Sequence, residues 1–230
     1  AKVLEASKKA SVKKFVYSAS SSCYGMAKTP TTEKDAINPL YPYAMSKYLG
    51  EKICFHWNKL YKLPVNSIRI FNAYGPRVKT TGVYGAVFGV FFKQKLEKKP
   101  FTIVGNGNQK RDFIFVTDVV DAFFKASQTK VSGEVFNLGT GKPSSINSLV
   151  KILGGEKIYL PKRPGEPNIT CANPKKIKKI LKWKPKVKFE NGVKIMLKDI
   201  KKWKTAPLWT VNSIEKATKS WFSYMKNINR

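Results

Sequence analysis

KFVYSASSSCYG, residues 14–25, decides the fold of this chain because it holds an apolar strand that runs into a polar turn. Its first five residues are an apolar run that follows a helix-like segment, which predicts a buried parallel strand. After a polar loop, residues 42–62 carry apolar side chains at helical spacing, and residues 65–71 form the next apolar run. The order helix, strand, long loop, helix, strand is typical of a doubly wound sheet.

The second half of the chain predicts a smaller unit of mixed helices and strands. Helices are predicted over 83–98, 117–127, 144–153, 174–182, 190–203 and 212–225, and strands over 101–104, 112–116, 134–138 and 157–160. The proline-rich residues 161–167 predict a loop. We therefore predict an α/β fold, with the C-terminal part of a Rossmann-like doubly wound parallel sheet in residues 1–80. Residues 81–230 are predicted to form mostly a small α+β cap, with about 101–138 partly returning to the sheet.

The composition is that of a globular protein with a substantial core. The 230 residues are 42% hydrophobic and 13% aromatic. The longest apolar run, 83–92, is broken by two glycines and is shorter than the roughly 20 residues that a bilayer span needs, so no membrane span is expected. Residues 1–10 resemble the interior of a helix and lack an N-cap, an initiator Met and a signal peptide, so we expect an N-terminal truncation.

The net charge of +30 raises the possibility of a nucleic-acid partner. Only five of the 44 basic residues are arginine, and the lysines are spread through every segment. A groove that follows a phosphate backbone should cluster its charges, and such clustering is weak outside residues 174–204. The pattern favours lysine-for-arginine drift, so nucleic-acid binding is not the expected function, although it stays an alternative.

Three cysteines, Cys23, Cys54 and Cys171, are widely spaced and odd in number. They form neither a metal-ligand pattern nor a disulfide framework, so no metal is expected. Small buried thiols are the simplest interpretation. Their use predicts a reducing compartment and a cytoplasmic protein.

A tyrosine and a lysine lie four residues apart on the helix predicted for residues 42–62. Tyr43 and Lys47 therefore share one face, a turn apart. A fixed cation beside a phenol favours the phenolate, which is a useful general base. The pair alone is a weak signal, because an amphipathic surface helix produces the same spacing. Its context strengthens it, since Ser18 to Ser22 stand at the end of the preceding strand, where α/β sheets place ligands.

This combination resembles the extended branch of the short-chain dehydrogenase/reductase superfamily, the NAD-dependent nucleotide-sugar epimerases and dehydratases, of the UDP-glucose 4-epimerase type. The resemblance continues, in order, over most of the chain. The matching segments are 69–77, 105–107, 111–113, 116–119, 136–141 and 163–166. It implies NAD as the cofactor and a nucleotide-diphosphate sugar as the substrate.

By this resemblance, Ser20 corresponds to the catalytic serine or threonine, Tyr43 to the acid/base, and Lys47 to the lysine that holds the nicotinamide ribose. Tyr43 and Lys47 would thus also contact the cofactor. The implied reaction is epimerisation, most simply at C4 of the sugar. Tyr43 takes the proton of the C4 hydroxyl with Ser20 bridging, while the C4 carbon passes its hydride to NAD, and the 4-keto sugar turns over before the proton and the hydride return.

The resemblance also assigns substrate contacts. Asn72 lies where the family contacts the diphosphate, and Arg111 and Arg163 match phosphate-binding arginines, for which a bidentate fork is suited. Thr170 matches a position at which epimerases vary the size of a gate residue. A threonine there should leave room for N-acetylated or uronate sugars.

Ser21 and Ser22 are candidate sugar contacts, and they also bear on the branch of the family. Dehydratases typically carry Asp-Glu at these two places, and serines supply neither the acid nor the base for loss of water. An epimerase is therefore expected, while a dehydratase, a decarboxylase and an inactive basic fragment that binds nucleic acid stay open.

One part of the family pattern is missing from the sequence. The glycine-rich phosphate loop and the ribose-binding acidic residue belong to a first βαβ unit, and residues 139–141 are no substitute for them. We therefore expect the 230 residues alone to be inactive, to bind NAD weakly or not at all, and to expose a sheet edge. Homodimerisation of the full-length protein through the Tyr43 helix and its neighbour is a further implication of the resemblance.

Overall fold

The computed structural model describes residues 1–78, 87–162 and 166–206, together with residues 208, 210, 212, 213, 216, 219 and 223. The helices are α1 (Lys2–Lys9), α2 (Pro42–Tyr61), α3 (Val87–Leu96), α4 (Val116–Gln128), α5 (Ile146–Leu153), α6 (Lys175–Leu181) and α7 (Phe189–Lys198), with 3-10 turns at Ser21–Tyr24 and Ile200–Trp203. The strands are β1 (Phe15–Ser20), β2 (Val65–Ile70), β3 (Asn72–Tyr74), β4 (Phe101–Val104), β5 (Lys110–Arg111), β6 (Phe113–Phe115), β7 (Glu134–Leu138), β8 (Ser144–Ser145) and β9 (Lys157–Leu160).

The chain divides into two compact units, and each unit is built from three separate segments of the sequence. The first unit comprises Ala1–Ala73, Asp112–Pro143 and Thr170–Lys186, and the second comprises Tyr74–Arg111, Ser144–Ile169 and Val187–Arg230. The sequence predicted that segments within about 101–138 partly return to the sheet, and in this division Asp112–Pro143 and Thr170–Lys186 belong to the first unit. Strand β4 belongs to the second unit because it pairs with β9 there.

A parallel sheet in the order β1-β2-β7 organises the first unit. Phe15 pairs with Val65 and Ser20 with Ile70, and on the other side of β2 Ile70 pairs with Leu138. Parallel neighbours need a crossover, which α2 supplies between β1 and β2. The predicted α/β fold with a parallel, Rossmann-like sheet is confirmed.

Both faces of this sheet are covered by helices, as expected for buried parallel strands. On one face, α1 and α2 pack on the sheet through a cluster of apolar side chains: Leu4, Cys54, Leu63 and Val65, with Val12, Phe15, Tyr17, Phe55 and Trp57 around them. On the other face, α4 and α6 pack through a second cluster: Ile68, Ile114, Ala122, Ala126, Phe136, Leu138, Ile177, Leu181 and Trp183. Within the described residues, β1 is an outer strand.

The second unit contains small sheets of two strands each and several contacts between aromatic side chains. It contains the parallel pair β4 and β9 and the antiparallel pair β5 and β8. The ring of Tyr74 stacks on Phe88 at 4.7 Å, and Phe92 meets Trp203 edge-on at 4.9 Å. None of the helices in the described residues is both long and apolar enough to cross a membrane.

Most predicted elements are present with shifted ends. The strand predicted over 112–116 is instead two short strands on either side of Asp112, and α4 begins at Val116. The helix predicted over 190–203 ends as a 3-10 turn. Residues 83–86 and most of 212–225 lie outside the described residues, and the five described positions of 212–225 are helical.

Candidate active site

Ser20, the last residue of β1, is also the N-cap of the 3-10 helix that follows it. The backbone of Ser20 is extended, and the chain then turns into the 3-10 helix Ser21–Tyr24. Ser20 Oγ accepts hydrogen bonds from the backbone N–H of Ser22 at 3.2 Å and from Ser22 Oγ at 2.9 Å. A hydroxyl has two lone pairs and one proton, so these bonds leave the Ser20 proton to be donated to another acceptor. Ser20 is thus both a helix cap and a hydroxyl donor at the carboxyl end of β1.

Helix α2 brings the predicted lysine to the same strand end. Tyr43 lies in its first turn, directly after Pro42, and is 45% exposed. Lys47 follows one turn later, and its Nζ donates to the carbonyl of Ser18 at 2.9 Å. Ser18 lies two residues before Ser20 on β1. The structure therefore fixes Lys47 beside the strand end that holds the predicted catalytic serine.

Close packing of α2 on β1 maintains this arrangement. Tyr17 OH donates to the carbonyl of Lys47 at 3.2 Å, and a Cβ built on Gly50 would overlap the same phenol oxygen. A side chain at position 50 would force Tyr17 away from the helix. Burial, and after it the charges of neighbouring groups that include Tyr43, raise the pKa of Tyr17.

A buried polar network fastens α2 to the sheet, and we did not predict it from the sequence. Glu51 Oε2 accepts from Arg69 Nε at 3.0 Å and from Ser67 Oγ at 2.7 Å, and Glu51 Oε1 pairs with Arg69 Nη2. Arg69 Nη1 donates to Tyr24 OH at 2.7 Å, and Tyr24 OH donates to Asn137 Oδ1 at 2.8 Å. The network therefore joins α2, β2, β7 and the turn after β1.

The sequence did contain a signal for this network. Glu51 continues the spacing of four that begins with Tyr43 and Lys47, and Arg69 is one of few arginines in a lysine-rich chain. Burial is the largest single effect and acts to lower the pKa of Arg69, but the hydrogen bond to the Glu51 carboxylate, together with the charges of Tyr24, Glu51 and Cys23, raises the pKa overall. Burial raises the pKa of Tyr24 to about 12, against the opposing effect of Arg69.

Two of the predicted substrate residues meet in the structure. Asn72 begins β3, and its side-chain Nδ2 donates to Thr170 Oγ1 at 2.9 Å, across 98 residues of sequence. Both side chains are partly buried. The structure thus brings Asn72 and Thr170 together, although the resemblance assigned them separate roles.

A second buried carboxylate, Asp112, lies next to these residues and was not predicted as functional. It is fully buried and accepts from Thr140 N at 2.8 Å, Gly141 N at 2.9 Å and Ala172 N at 2.9 Å. The hydroxyl of Thr140 adds a fourth bond. The amide groups of this glycine-containing turn are thus bonded to Asp112, which is the physical reason why the turn does not replace a phosphate loop.

Arg111, one of the two predicted phosphate-binding arginines, belongs to the second unit. Arg111 Nη2 pairs with Glu166 Oε1 at 2.6 Å, and its Nη1 donates to the carbonyls of Pro167 at 2.8 Å and Lys110 at 3.0 Å. The guanidinium group of Arg111 has the fork of N–H donors that suits a phosphate. In this structure it donates to one carboxylate and two carbonyl groups instead. Arg163 lies outside the described residues.

The donors at the end of β1 fit one part of NAD, the nicotinamide ribose. Lys47 carries three N–H donors, so its bond to Ser18 is compatible with further bonds to ribose hydroxyls. The pyrophosphate of a dinucleotide requires a glycine-rich strand–turn–helix, which the 230 residues do not contain. Among the described residues, no group of three or more His, Cys, Asp or Glu side chains is placed to hold a metal ion.

A parallel sheet covered on both faces, with polar side chains at the carboxyl ends of its strands, defines an α/β protein of the nucleotide-binding type. The sequence model of the NAD dependent epimerase/dehydratase family matches residues 1–139. The chain belongs to this family, as the sequence motifs predicted.

Similarity to known proteins extends beyond the matched residues. A putative UDP-glucose 4-epimerase of Methanocaldococcus jannaschii is 36% identical over 200 residues, covering 84% of this chain and 64% of the relative. A UDP-N-acetyl-alpha-D-glucosaminuronate decarboxylase of Bacillus cytotoxicus is 31% identical over 207 residues, covering 79% of this chain and 62% of the relative. The chain thus spans less than two thirds of the length of these relatives.

Among solved structures, the UDP-glucuronic acid 4-epimerase of Bacillus cereus, in complex with UDP-glucuronic acid and NAD, resembles this chain with a TM-score of 0.80. The two are 33% identical, and the match covers 87% of this chain and 65% of that one. The similarity includes both the fold and the sequence.

Proposed function

We propose that these residues form the catalytic and substrate-binding part of an NAD-dependent nucleotide-sugar epimerase that acts at C4. The observation that carries the proposal is the bond from Lys47 Nζ to Ser18 O, which holds the Tyr43 helix against the strand end with Ser20. The family match and the 4-epimerase names of its relatives agree with this assignment.

In the proposed reaction, NAD supplies the redox chemistry by accepting and returning the hydride of C4. Tyr43 accepts the proton of the C4 hydroxyl and later returns it, so it serves first as a base and then as an acid. Lys47 lies one turn away, and its ammonium group would bind the hydroxyls of the nicotinamide ribose. Ser20 donates its remaining proton towards the sugar oxygen and aligns that oxygen with Tyr43. The two faces of the 4-keto sugar lead to the two epimers.

Substrate binding is proposed for the residues that the resemblance assigned. Asn72 would donate to the diphosphate, and Thr170 would border the sugar. Arg111 and Arg163 would pair with phosphate oxygens, which requires that Arg111 exchange its bond to Glu166 for a bond to the ligand. Because the names of relatives include UDP, UDP-linked sugars are the substrates to assay first.

Cofactor binding requires more than these residues supply. We expect NAD to bind the 230-residue chain weakly or not at all, because the glycine-rich turn for its pyrophosphate is absent from the sequence. A titration of the chain with NAD measures this, and micromolar affinity would contradict the expectation. Turnover is therefore assayed with NAD in large excess.

The test of the proposal is the replacement Tyr43→Phe, which removes the proton-transferring oxygen and leaves the ring. Loss of a positioned general base should lower kcat by about 10²- to 10⁴-fold, with little change in KM. Tyr61→Phe on the same helix is the matched control, since Tyr61 is also exposed. Turnover by Tyr43→Phe at the same measurable rate as Tyr61→Phe would exclude the proposed role.

Product analysis separates the epimerase from its relatives in the family. The decarboxylase of Bacillus cytotoxicus is the observation that favours a second candidate, decarboxylation of a UDP-linked uronate. Release of CO2 from such a substrate identifies a decarboxylase, loss of water a dehydratase, and a new stereoisomer of equal mass an epimerase. Salt-sensitive RNA binding without turnover would point to the inactive basic fragment instead.

A homodimer in the cytoplasm completes the proposal. Exposed apolar side chains form one stripe on α2, with Met45, Leu49 and Ile53, and another on α4, with Val120 and Phe124. Such surface commonly marks a protein interface. Sedimentation should therefore give a dimer, and Leu49→Glu a monomer, whereas a monomeric wild-type protein would refute the homodimer.

All three cysteines are free thiols, which agrees with a reducing compartment.

A further inference from the structure

Asp112 joins three separate segments of the first unit. Its carboxylate accepts the backbone N–H groups of Thr140 and Gly141 in the turn after β7, and that of Ala172 further along the chain. Its own carbonyl accepts the backbone N–H of Asn72 at 3.1 Å. One residue therefore holds the backbone at Asn72 and the backbone two residues after Thr170.

The groups around Asp112 pack closely against its carboxylate. A Cβ built on Gly139 would lie 2.5 Å from Asp112 Oδ2 and 2.6 Å from Ala172 Cβ. Ala172 is further fixed by the bridge to Thr31, with bonds of 2.8 Å from Thr31 N to Cys171 O and from Asn173 N to Thr31 O. The segment around Thr170 is thus anchored immediately after the threonine.

The contact between Asn72 and Thr170 depends on this anchoring. A side-chain amide has a donor end and an acceptor end, and a neighbour that bonds one end determines which way the other end faces. Thr170 Oγ1 accepts from Asn72 Nδ2 at 2.9 Å and so fixes the plane of the amide. The second N–H of the same nitrogen then has a defined direction.

A buried carboxylate is costly unless its bonds are all satisfied, so its presence calls for a reason. Asp112 is fully buried, and four donors surround its two oxygens. An apolar side chain at this position would leave the backbone N–H groups of Thr140, Gly141 and Ala172 without their acceptor. What an apolar side chain does not provide is a fixed distance between the backbones that carry Asn72 and Thr170.

We propose that Asp112 and Thr170 are positioning residues for Asn72: Asp112 fixes the two backbones, and the Thr170 hydroxyl orients the amide towards the diphosphate of the substrate. This inference rests on the proposed function, because it takes Asn72 as the diphosphate contact. The role of Thr170 is then to hold a hydrogen bond, in addition to leaving space for the sugar.

The experiment measures the affinity of the full chain for UDP, with no cofactor present. Thr170→Val keeps the shape of the side chain and removes the hydroxyl, so UDP affinity should fall about three- to tenfold, the equivalent of one ordinary hydrogen bond. Thr170→Ser restores the hydroxyl and should bind within about twofold of wild type. Thr117→Val, at an exposed threonine on α4, is the matched control and should leave affinity unchanged.

A spectroscopic readout separates positioning from general stability. The side-chain NH2 resonances of Asn72 should shift in Thr170→Val and keep their wild-type positions in Thr170→Ser. Asp112→Asn should shift the same resonances and the amide signals of Gly141 and Ala172. If Asp112→Asn does not fold, Thr140→Val, which removes one bond to Asp112, should give a smaller shift of the same kind.

The outcomes distinguish this inference from the proposed function. If wild-type protein binds UDP and Thr170→Val binds it equally well, the positioning role is overturned while the proposed function stands. If Thr170→Ser loses as much affinity as Thr170→Val, the hydroxyl is not responsible and the inference also fails. If wild-type protein binds no UDP, the proposed substrate contacts fail, and the positioning role fails with them.

Discussion

The buried ion pair between Glu51 and Arg69 offers the sharpest test of how α2 is held. The Arg69 side chain is 6% exposed and that of Glu51 is 3% exposed. Replacing Arg69 by Met keeps much of the side-chain length and removes the charge. The Glu51 carboxylate would then stay buried with Ser67 Oγ as its remaining partner in this network.

The size of the effect follows from the bonds that are lost. Arg69 donates two charge-assisted bonds to Glu51, each worth about 1.5–3 kcal/mol. Removing one partner of a buried pair typically costs about 3–5 kcal/mol, which agrees with that sum. With a urea slope of about 2 kcal/mol per molar, the midpoint of unfolding should fall by about 2 M.

The assay is urea unfolding followed by circular dichroism at pH 7, in a double-mutant cycle. Arg69→Met and Glu51→Met should each be strongly destabilising. The double variant should lose much less than their sum, because no unpaired charge stays buried. Lys202→Met is the control, since its pair with Asp199 is exposed and should be worth less than about 1 kcal/mol.

Two results would refute this reasoning. One is an Arg69→Met variant that is no less stable than Lys202→Met, which would mean that Glu51 finds other partners or water. The other is strict additivity in the double variant, which would mean that the two side chains do not depend on each other. Either result would mean that the buried ion pair is not what holds the Tyr43 helix in position.

Two further predictions concern buried groups. Gly139→Ala should lower stability by about 1–3 kcal/mol, measured as a lower Tm, because its Cβ would press on Asp112 Oδ2 and Ala172 Cβ; an unchanged Tm would show that this turn can yield. Burial raises the pKa of Cys23 and of Cys54 from 9.0 to about 11. Their neutral thiols therefore contribute stability that is complete below about pH 9 and is lost as the pH rises to about 11, since only the unfolded chain ionises readily there. Cys54→Ala should flatten that part of the pH profile of Tm, and an unaltered profile would contradict the assignment.

Sequence patterns predicted the elements that have a local signal. The apolar runs around Phe15 and Val65 predicted parallel strands, and the helical spacing over 42–62 predicted α2, because side-chain periodicity is a property of short segments. The order of the motifs predicted the family. Boundaries were less accurate around Asp112, which separates the charged strand β5 from the apolar strand β6.

The candidate site was predicted in part. Tyr43, Lys47 and Ser20 were identified from spacing and resemblance, and the bond from Lys47 to Ser18 agrees with their grouping at one strand end. Their catalytic roles stay predictions, as do those of Ser21, Ser22, Arg111 and Arg163. Asp112 was missed because an aspartate in a strand gives no sign of what will surround it.

By itself, the sequence determined that the chain forms an α/β protein of this family, and it predicted a serine, a tyrosine and a lysine at the end of β1. Only the tertiary structure decided which distant groups meet: Glu51 with Arg69, and Asn72 with Thr170, which are 98 residues apart. The physical reason is that periodicity records which side of an element is buried, whereas a hydrogen bond between elements depends on how their backbones pack. That packing is fixed by the whole core and is encoded in no single segment.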